Sequence, residues 1–184
     1  MDPQARLCVL IGIPGVGKSS VAHLLRPHLP PRWTVFHGDD FIGVTPAIYP
    51  GKPWEEVRRY SPLFVGWSTG WYLAGGRGVL LEGHLRDLDE LDRLMRGVKD
   101  FYPGCPPPTV VQLVADPEKI AARLAENPAR ALDWQGPTRE SDILAWLNRN
   151  PIDPGIQSTK VRVEGLGEDA VARTVAQVFG LEWA

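Results

Sequence analysis

The chain has 184 residues, of which 43% are hydrophobic and 23% are charged, and its formal net charge is −2. The length and composition favour one globular domain with a sizeable core, spanning residues 1–184. The near-neutral charge argues against the broad basic surface of a non-specific nucleic-acid binder, so nucleic acid is not the favoured partner.

Cysteine content and N-terminal hydrophobicity bear on where the protein works. The two cysteines, Cys8 and Cys105, form neither a metal-binding pair nor a disulfide framework, which is typical of a reducing compartment. The apolar stretch at 7–11 is followed by Gly12 and Pro14, and it is too short for a signal peptide or a membrane span. We therefore expect a cytoplasmic protein without a membrane partner.

Short apolar runs alternate with segments of helical periodicity along the chain. The runs predict strands at 7–11, 33–38, 78–83 and 109–115, and STKVRVEG at 158–165 is predicted as a fifth strand. The periodic segments predict helices at 19–29, 53–75, 87–98, 117–126, 140–149 and 168–179. We expect Pro62 and two glycines to break the second of these helices. The alternation predicts an α/β fold with a five-stranded parallel sheet and helices on both faces, a sheet type that binds ligands at the carboxyl ends of its strands.

The first strand is followed by GIPGVGKSS at 12–20, which contains the pattern G-x-x-x-x-G-K-[ST] between a strand and a helix. Glycines in this pattern let backbone N–H groups point at phosphate oxygens, and the start of the helix adds positive potential. Lys18 is expected to bridge the β and γ phosphates, and Ser19 to bind Mg²⁺. A turn that only joins a strand to a helix would not require a lysine and a serine at these places. The predicted nucleotide-binding residues of the loop are Gly12, Pro14, Gly15, Val16, Gly17, Lys18, Ser19 and Ser20.

The second strand is followed by Asp39, Asp40 and Phe41. A carboxylate at this place would face the γ-phosphate from the acceptor side and could take a proton from an attacking hydroxyl. The alternative is a turn or a helix cap, in which the carboxylates accept local backbone hydrogen bonds. The phosphate loop on a neighbouring strand favours the catalytic interpretation, with Asp39 as the general base.

The order of elements and these motifs resemble the small P-loop phosphotransferases, the group that contains chloramphenicol phosphotransferase, polynucleotide kinases, zeta-type toxins and gluconate or shikimate kinases. The stretch LPPRWTVFHGDDFIGVTP at 29–46 looks most like chloramphenicol phosphotransferase, in which a catalytic aspartate precedes a proline by a few residues. The resemblance places that aspartate at Asp39, ahead of Pro46. Polynucleotide kinases and zeta toxins typically have an arginine or lysine shortly after it, where this chain has Ile42 and Gly43. That difference argues against a 5′-hydroxyl polynucleotide substrate.

The third strand ends near Glu82. Many P-loop proteins have an acidic residue at this position, near Mg²⁺ or its water. The alternatives are a contact to the acceptor, or a charged residue that only ends a strand. The predicted metal-site residues are Ser19, Asp39 and Glu82. The predicted acceptor contacts are Asp40, Phe41, His84 and Arg86, although a lone histidine is more often structural.

The resemblance also implies a short lid at about 124–140, with arginines at both ends that reach over the triphosphate and the base. Arg123 and Arg130 match those arginines and would neutralise negative charge on the transferred group. Arg123 could instead lie on the solvated face of its helix. The sequence has no N-K-x-D stretch of the guanine-specific kind, so ATP is the expected donor.

An aromatic row lies between the second and third strands and consists of Tyr60, Phe64, Trp67 and Trp71. Its 4-3-4 spacing is that of one helix face, which most often packs in a core. The alternative is an aromatic wall of the acceptor pocket, which would suit a small organic alcohol or the stacking of a nucleobase.

Together these features predict an ATP- and Mg²⁺-dependent kinase that phosphorylates a hydroxyl of a small molecule, an antibiotic or a nucleoside-like metabolite. One alternative is a polynucleotide kinase that acts on 5′-hydroxyl ends, which a basic groove beside Asp39 would favour. Another is a regulatory NTPase that binds nucleotide without an acceptor. The predicted catalytic residues are Asp39, Lys18, Arg130 and Arg123.

Overall fold

The structure of the chain is a computed structural model and describes residues 5–41, 54–83, 85–126, 139–149, 151–152 and 155–183. The strands are β1 (Leu7–Ile11), β2 (Trp33–His37), β3 (Gly78–Glu82), β4 (Thr109–Val114) and β5 (Thr159–Arg162). The helices are α1 (Lys18–Leu25), α2 (Trp54–Ala74), α3 (Leu88–Phe101), α4 (Pro117–Glu126), α5 (Glu140–Arg149) and α6 (Glu168–Phe179). A 3₁₀ helix at Arg26–His28 and a helical turn at 38–41 are shorter. None of the described helices combines the length and the apolar character that a membrane crossing needs.

The five strands form one parallel sheet in the order β2-β3-β1-β4-β5. β1 lies in the middle, between β3 and β4, and all of its residues are buried. Its sequence is apolar throughout rather than alternating, because both faces of a central parallel strand are covered. The predicted α/β fold with a five-stranded parallel sheet is confirmed, and its carboxyl edge brings together the segments that follow β1, β2 and β3.

Successive residues of β1 point to opposite faces of the sheet and enter two different cores. Cys8 and Leu10 pack in one core with Phe179 and with apolar residues of α1, α4, α5 and α6. Val9 and Ile11 pack in the other core with apolar residues of α2 and α3. The central strand is therefore held from both sides, which fixes the position of the loop that leaves its end.

Both cysteines are buried and free. Burial raises the pKa of the Cys8 thiol to about 12, and it also raises the pKa of the Cys105 thiol. Since the thiolate is the reactive form of cysteine, Cys8 serves as a packing group in β1 rather than as a nucleophile.

Helix α2 runs unbroken from Trp54 to Ala74 although Pro62 lies inside it, so the predicted break is wrong. A proline removes one helix hydrogen bond and crowds the preceding turn, which disfavours a helix on local grounds. Packing along α3 outweighs that cost, and it is the most extensive helix–helix contact in the described part of the chain.

Glycines allow the backbones of α2 and α3 to approach closely. A Cβ at Gly70 would lie 2.5 Å from the carbonyl oxygen of Val98. A Cβ at Gly66 of α2 or at Gly97 of α3 would overlap the backbone of the facing helix. The glycines that we expected to break α2 are therefore its contact points with α3.

The aromatic row of α2 lies largely outside the core. Tyr60 and Trp71 are 38% and 62% exposed, and the Nε1–H of Trp67 donates to Asp100 at 2.7 Å. The interpretation of the row as a core face is therefore wrong, because among the residues of α2 from 59 onward the core contains Val65 and Leu73 rather than the aromatic row. Trp71 lies in the last turn of α2, which leads into the amino end of β3, away from the carboxyl edge of the sheet.

We expect Gly66→Ala to lower the free energy of unfolding by about 1–3 kcal/mol, because the added methyl group would force α2 and α3 apart. Urea unfolding monitored by tryptophan fluorescence measures this. The control is Gly104→Ala, where a Cβ would meet nothing within 4 Å, and its effect should stay within about 0.5 kcal/mol. Unchanged or increased stability of Gly66→Ala, as the higher helix propensity of alanine alone would give, would contradict the close helix contact.

Candidate active site

The loop between β1 and α1, residues 12–17, takes its shape from glycine. Gly15 and Gly17 have φ angles of +78° and +103°, in the left-handed region that other residues rarely adopt. Gly17 is also the N-cap of α1, and no side-chain hydrogen bond caps the helix there. A capping side chain therefore does not compete with a ligand for the first backbone N–H groups of α1. The space beside Gly17 is open. The start of α1 can therefore offer backbone donors and positive potential to an anion.

The other predicted loop residues support this geometry in different ways. Gly12 lies against β4, where a Cβ would come within 2.9 Å of the carbonyl oxygen of Leu113. The side chain of Val16 is buried in the core beneath the loop, so only its backbone could contact a ligand. Pro14 and Ser20 are half-buried.

Lys18, the first residue of α1, crosses the loop, and its Nζ donates to the carbonyl oxygen of Ile13 at 3.4 Å. Desolvation lowers the pKa of Lys18, while the negative charges of Glu82 and Asp39 raise it and offset part of that effect. A desolvated ammonium is stabilised by a neighbouring anion, so an anion bound at the loop would bring the pKa of Lys18 back toward its ordinary value. Lys18 is thus suited to hold a negatively charged ligand.

Glu82, the last residue of β3, is only 4% exposed and has a partner for each oxygen of its carboxylate. Oε1 accepts a hydrogen bond from the hydroxyl of Ser19 at 3.3 Å. Oε2 is 2.9 Å from Nδ1 of His37, and since a carboxylate oxygen accepts, Nδ1–H is the donor. A buried carboxylate needs such partners, because leaving it unpaired away from water is costly.

His37 is the residue of this site that the sequence analysis missed. It ends β2 and lies opposite Glu82 in the register of β2 and β3. The sequence signal was present, since a histidine and a glutamate end two strands that the fold brings side by side. Recognising it requires the pairing of β2 with β3, which local patterns do not provide.

Asp39 and Asp40 lie in the helical turn that follows β2, and both are exposed. β2 and β3 end close together, since a Cβ at Gly38 would lie 3.3 Å from the Cα of Gly83. Asp39 is near enough for its charge to act on Lys18. The structure therefore brings Asp39, Glu82, Lys18 and Ser19 to one edge of the sheet, although they come from three separate parts of the chain.

Two of the predicted acceptor contacts have partners within the protein. The ring of Phe41 packs edge-to-face on Phe36, with 5.5 Å between the ring centroids. Arg86 contacts Glu90 through its backbone N–H at 2.8 Å and through Nη2 at 3.1 Å, at the point where Asp87 caps α3. These contacts give both residues a structural role, and their contact with an acceptor stays a prediction.

The predicted lid falls mostly outside the described residues, as do Arg130, His84, Ile42, Gly43 and Pro46. The described parts of the lid are the end of α4 and the start of α5. Arg123 lies on α4, one turn before its end, and is exposed. An exposed position is compatible with a solvent-facing Arg123 and also with an Arg123 that contacts a bound nucleotide. The role of the lid arginines therefore stays a prediction.

The chemistry of the oxygen donors fits Mg²⁺ held together with a phosphate ligand. The described residues contain no group of three or more His, Cys, Asp or Glu side chains that could hold a metal ion by themselves. Mg²⁺ is commonly bound through one or two protein oxygens, with phosphate oxygens and waters as the other ligands. Ser19 and the adjacent Glu82 match that requirement, with Asp39 as a further acid nearby.

No model of a known protein family matches the chain, and no curated protein sequence matches it. Solved structures do match it over nearly their whole length. The tunicamycin resistance protein of Deinococcus radiodurans is 22% identical with a TM-score of 0.62, covering 97% of this chain and 99% of its own. A gluconokinase of Sinorhizobium meliloti is 17% identical with a TM-score of 0.64, covering 96% and 93%. The shikimate kinase of Acinetobacter baumannii, in complex with shikimate, is 17% identical with a TM-score of 0.60, covering 96% and 94%.

At these identities the likeness concerns the fold. The chain has the α/β fold of the kinases it matches, with the five-stranded parallel sheet in common. In such sheets ligands bind at the carboxyl ends of the strands, which is the edge that carries Lys18, Ser19, Asp39 and Glu82.

We expect Lys18→Ala to weaken the binding of inorganic tripolyphosphate by at least about tenfold, because a hydrogen bond to a charged group contributes about 1.5–3 kcal/mol. Isothermal titration calorimetry measures this affinity. The matched control is Lys160→Ala, which removes an exposed lysine from β5 and should leave the affinity within about twofold. Equal losses in the two variants would mean that the anion is attracted by overall charge rather than held at the loop.

Proposed function

We propose that this chain, which has the fold of P-loop kinases, is a phosphotransferase that uses ATP and Mg²⁺ to phosphorylate a hydroxyl group of a small molecule. The observation that carries the proposal is that Lys18 and Ser19, at the start of α1, meet the end of β3, where Glu82 accepts a hydrogen bond from the hydroxyl of Ser19 at 3.3 Å. Asp39 lies beyond the end of β2, and the charges of both acids favour the ammonium form of Lys18. One acid is buried and hydrogen-bonded to Ser19, while the other is exposed. This difference suits two distinct tasks.

The buried acid belongs to the donor side of the site. The backbone N–H groups of the loop and the ammonium of Lys18 would hold the β and γ phosphates. Ser19, fixed by Glu82, would bind Mg²⁺, which when bound neutralises charge on the phosphate oxygens. ATP is the expected donor because the sequence lacks the N-K-x-D stretch of guanine-specific proteins.

The exposed acid belongs to the acceptor side. The hydroxyl oxygen of the acceptor would attack the γ phosphorus, and Asp39 would accept the proton of that hydroxyl. The bond between the γ phosphorus and the bridging oxygen of the β-phosphate would break, and ADP would leave. The supporting observations are that the carboxylate of Asp39 is exposed and that its charge acts on Lys18. Arg123, with Arg130 of the lid, would add positive charge around the transferred group.

A small molecule is the favoured acceptor on electrostatic grounds. Asp39 and Asp40 are both exposed at this side of the site, and adjacent carboxylates repel the phosphates of a nucleic acid. The structural neighbours support the same class, since they include a gluconokinase, a sugar kinase and a shikimate kinase, together with a protein named for resistance to tunicamycin. We therefore assign the acceptor to the class of small hydroxyl-bearing metabolites or antibiotics.

The test is to incubate the protein with ATP labelled at the γ-phosphate and with separate pools of sugars and sugar acids, nucleosides, hydroxyl-bearing antibiotics and 5′-hydroxyl oligonucleotides. We expect label to appear on a member of one small-molecule pool. We also expect Asp39→Asn to lower kcat for that acceptor about 10²- to 10⁴-fold, the usual contribution of a general base, with little change in ATP affinity.

Asp40→Asn is the matched control, because it removes the neighbouring exposed carboxylate. As a predicted acceptor contact Asp40 would affect KM, so this variant should change kcat only a few-fold. Label found only on the oligonucleotides would favour a polynucleotide kinase. Label released only as inorganic phosphate, at a rate that Asp39→Asn does not alter, would favour a regulatory NTPase. Near-normal transfer by Asp39→Asn would show that another group accepts the proton.

A further inference from the structure

A chain of hydrogen bonds at the carboxyl edge of the sheet joins β2, β3 and α1. The Nδ1–H of His37 donates to Oε2 of Glu82 at 2.9 Å, and the hydroxyl of Ser19 donates to Oε1 of the same carboxylate at 3.3 Å. The chain begins at the rim of the site, where the side chain of His37 is 41% exposed, and runs inward through Glu82, whose side chain is 5% exposed. From there it returns to the surface at Ser19, which is exposed and is the residue expected to bind Mg²⁺.

Because Glu82 is buried, its hydrogen bond from His37 is difficult to replace. A buried carboxylate oxygen without a hydrogen-bond donor is destabilised, because it has lost its hydration and gained no partner. Without His37, the carboxylate of Glu82 would therefore rotate toward another donor. The strand register limits which residues can supply one, because His37 is the residue of β2 that lies directly opposite Glu82. His37 therefore determines the direction in which the carboxylate of Glu82 faces.

The orientation of Glu82 in turn determines how Ser19 presents its oxygen. A serine hydroxyl has one proton and two acceptor lone pairs. When its proton is given to Oε1 of Glu82, the lone pairs of the hydroxyl face away from that carboxylate and are free to bind a cation. A rotated carboxylate would lose this contact, and the hydroxyl would then rotate freely.

We propose that His37 is a positioning residue for the metal that accompanies the nucleotide, and that it acts through Glu82 on the hydroxyl of Ser19. This inference rests on the proposed function, since it requires that a Mg²⁺–nucleotide complex binds at the loop. It adds to that function a residue that contacts neither the nucleotide nor the metal. Partners of this kind commonly change metal affinity or activity 10- to 100-fold when they are removed.

The experiment compares the affinity of a non-hydrolysable ATP analogue in Mg²⁺ with its affinity in EDTA, by isothermal titration calorimetry. His37→Leu removes the donor, and we expect it to lose about tenfold or more in affinity in Mg²⁺ while its affinity in EDTA stays within about twofold of the original protein. His37→Asn keeps a donor at the position of Nδ1 and should retain most of the Mg²⁺ effect. His37→Gln extends its donor toward the position of Nε2 and should not. His23→Leu, an exposed histidine on α1, is the control.

The outcomes separate this inference from the proposed function. If the original protein binds no nucleotide, the proposed function fails and the inference fails with it. If the original protein binds with a clear Mg²⁺ effect and His37→Leu shows the same effect, only the inference fails. Equal losses in Mg²⁺ and in EDTA would also overturn it, because they would indicate general damage to the loop. Should His37→Leu not fold, the comparison of His37→Asn with His37→Gln decides, and equal behaviour of those two overturns the inference.

Discussion

The burial of one carboxylate, that of Glu82, is the constraint on which the site depends. β3 is apolar along its length and packs inside the sheet, yet it ends in an acid that is almost completely removed from water. Such a group is tolerated only with close partners, and the structure supplies Ser19 and His37 as hydrogen-bond donors and Lys18 as a nearby positive charge. Satisfying Glu82 therefore draws the end of β2 and the start of α1 to the same point.

The rest of the fold holds these partners in place. β1 is buried on both faces, so the loop that leaves its end begins from a fixed position. Gly15 and Gly17 then turn the chain into α1 through backbone angles that other residues rarely adopt. On the opposite side of the sheet from α1, α2 and α3 pack closely against each other through their glycines. Asp39 lies exposed beyond the end of β2, which is separated from β1 by β3 rather than adjacent to it as we expected from the sequence.

Much of this arrangement could be predicted from the sequence, because its signals are local. The strands could be predicted to within a few residues, and the spacing of glycines, lysine and serine indicated the glycine-rich turn from β1 into α1. What could not be predicted depends on tertiary contacts. Pro62 is tolerated because α2 packs along α3, and the partnership of His37 with Glu82 exists only once β2 and β3 are paired in register. The aromatic row of α2 has helical spacing, but Gly66, Gly70 and non-aromatic side chains such as Val65 and Leu73 occupy the buried face instead.

We propose that Lys18, Ser19 and Glu82 form a site for a Mg²⁺–nucleoside triphosphate, with Asp39 on the acceptor side. The most direct test is a crystal structure with a non-hydrolysable ATP analogue and Mn²⁺, in which anomalous scattering locates the metal. We predict the metal in direct contact with the hydroxyl oxygen of Ser19, the β and γ phosphates at Lys18, and the carboxylate of Asp39 on the open side of the γ-phosphate. A metal peak away from Ser19, or a triphosphate that does not contact Lys18, would contradict the account.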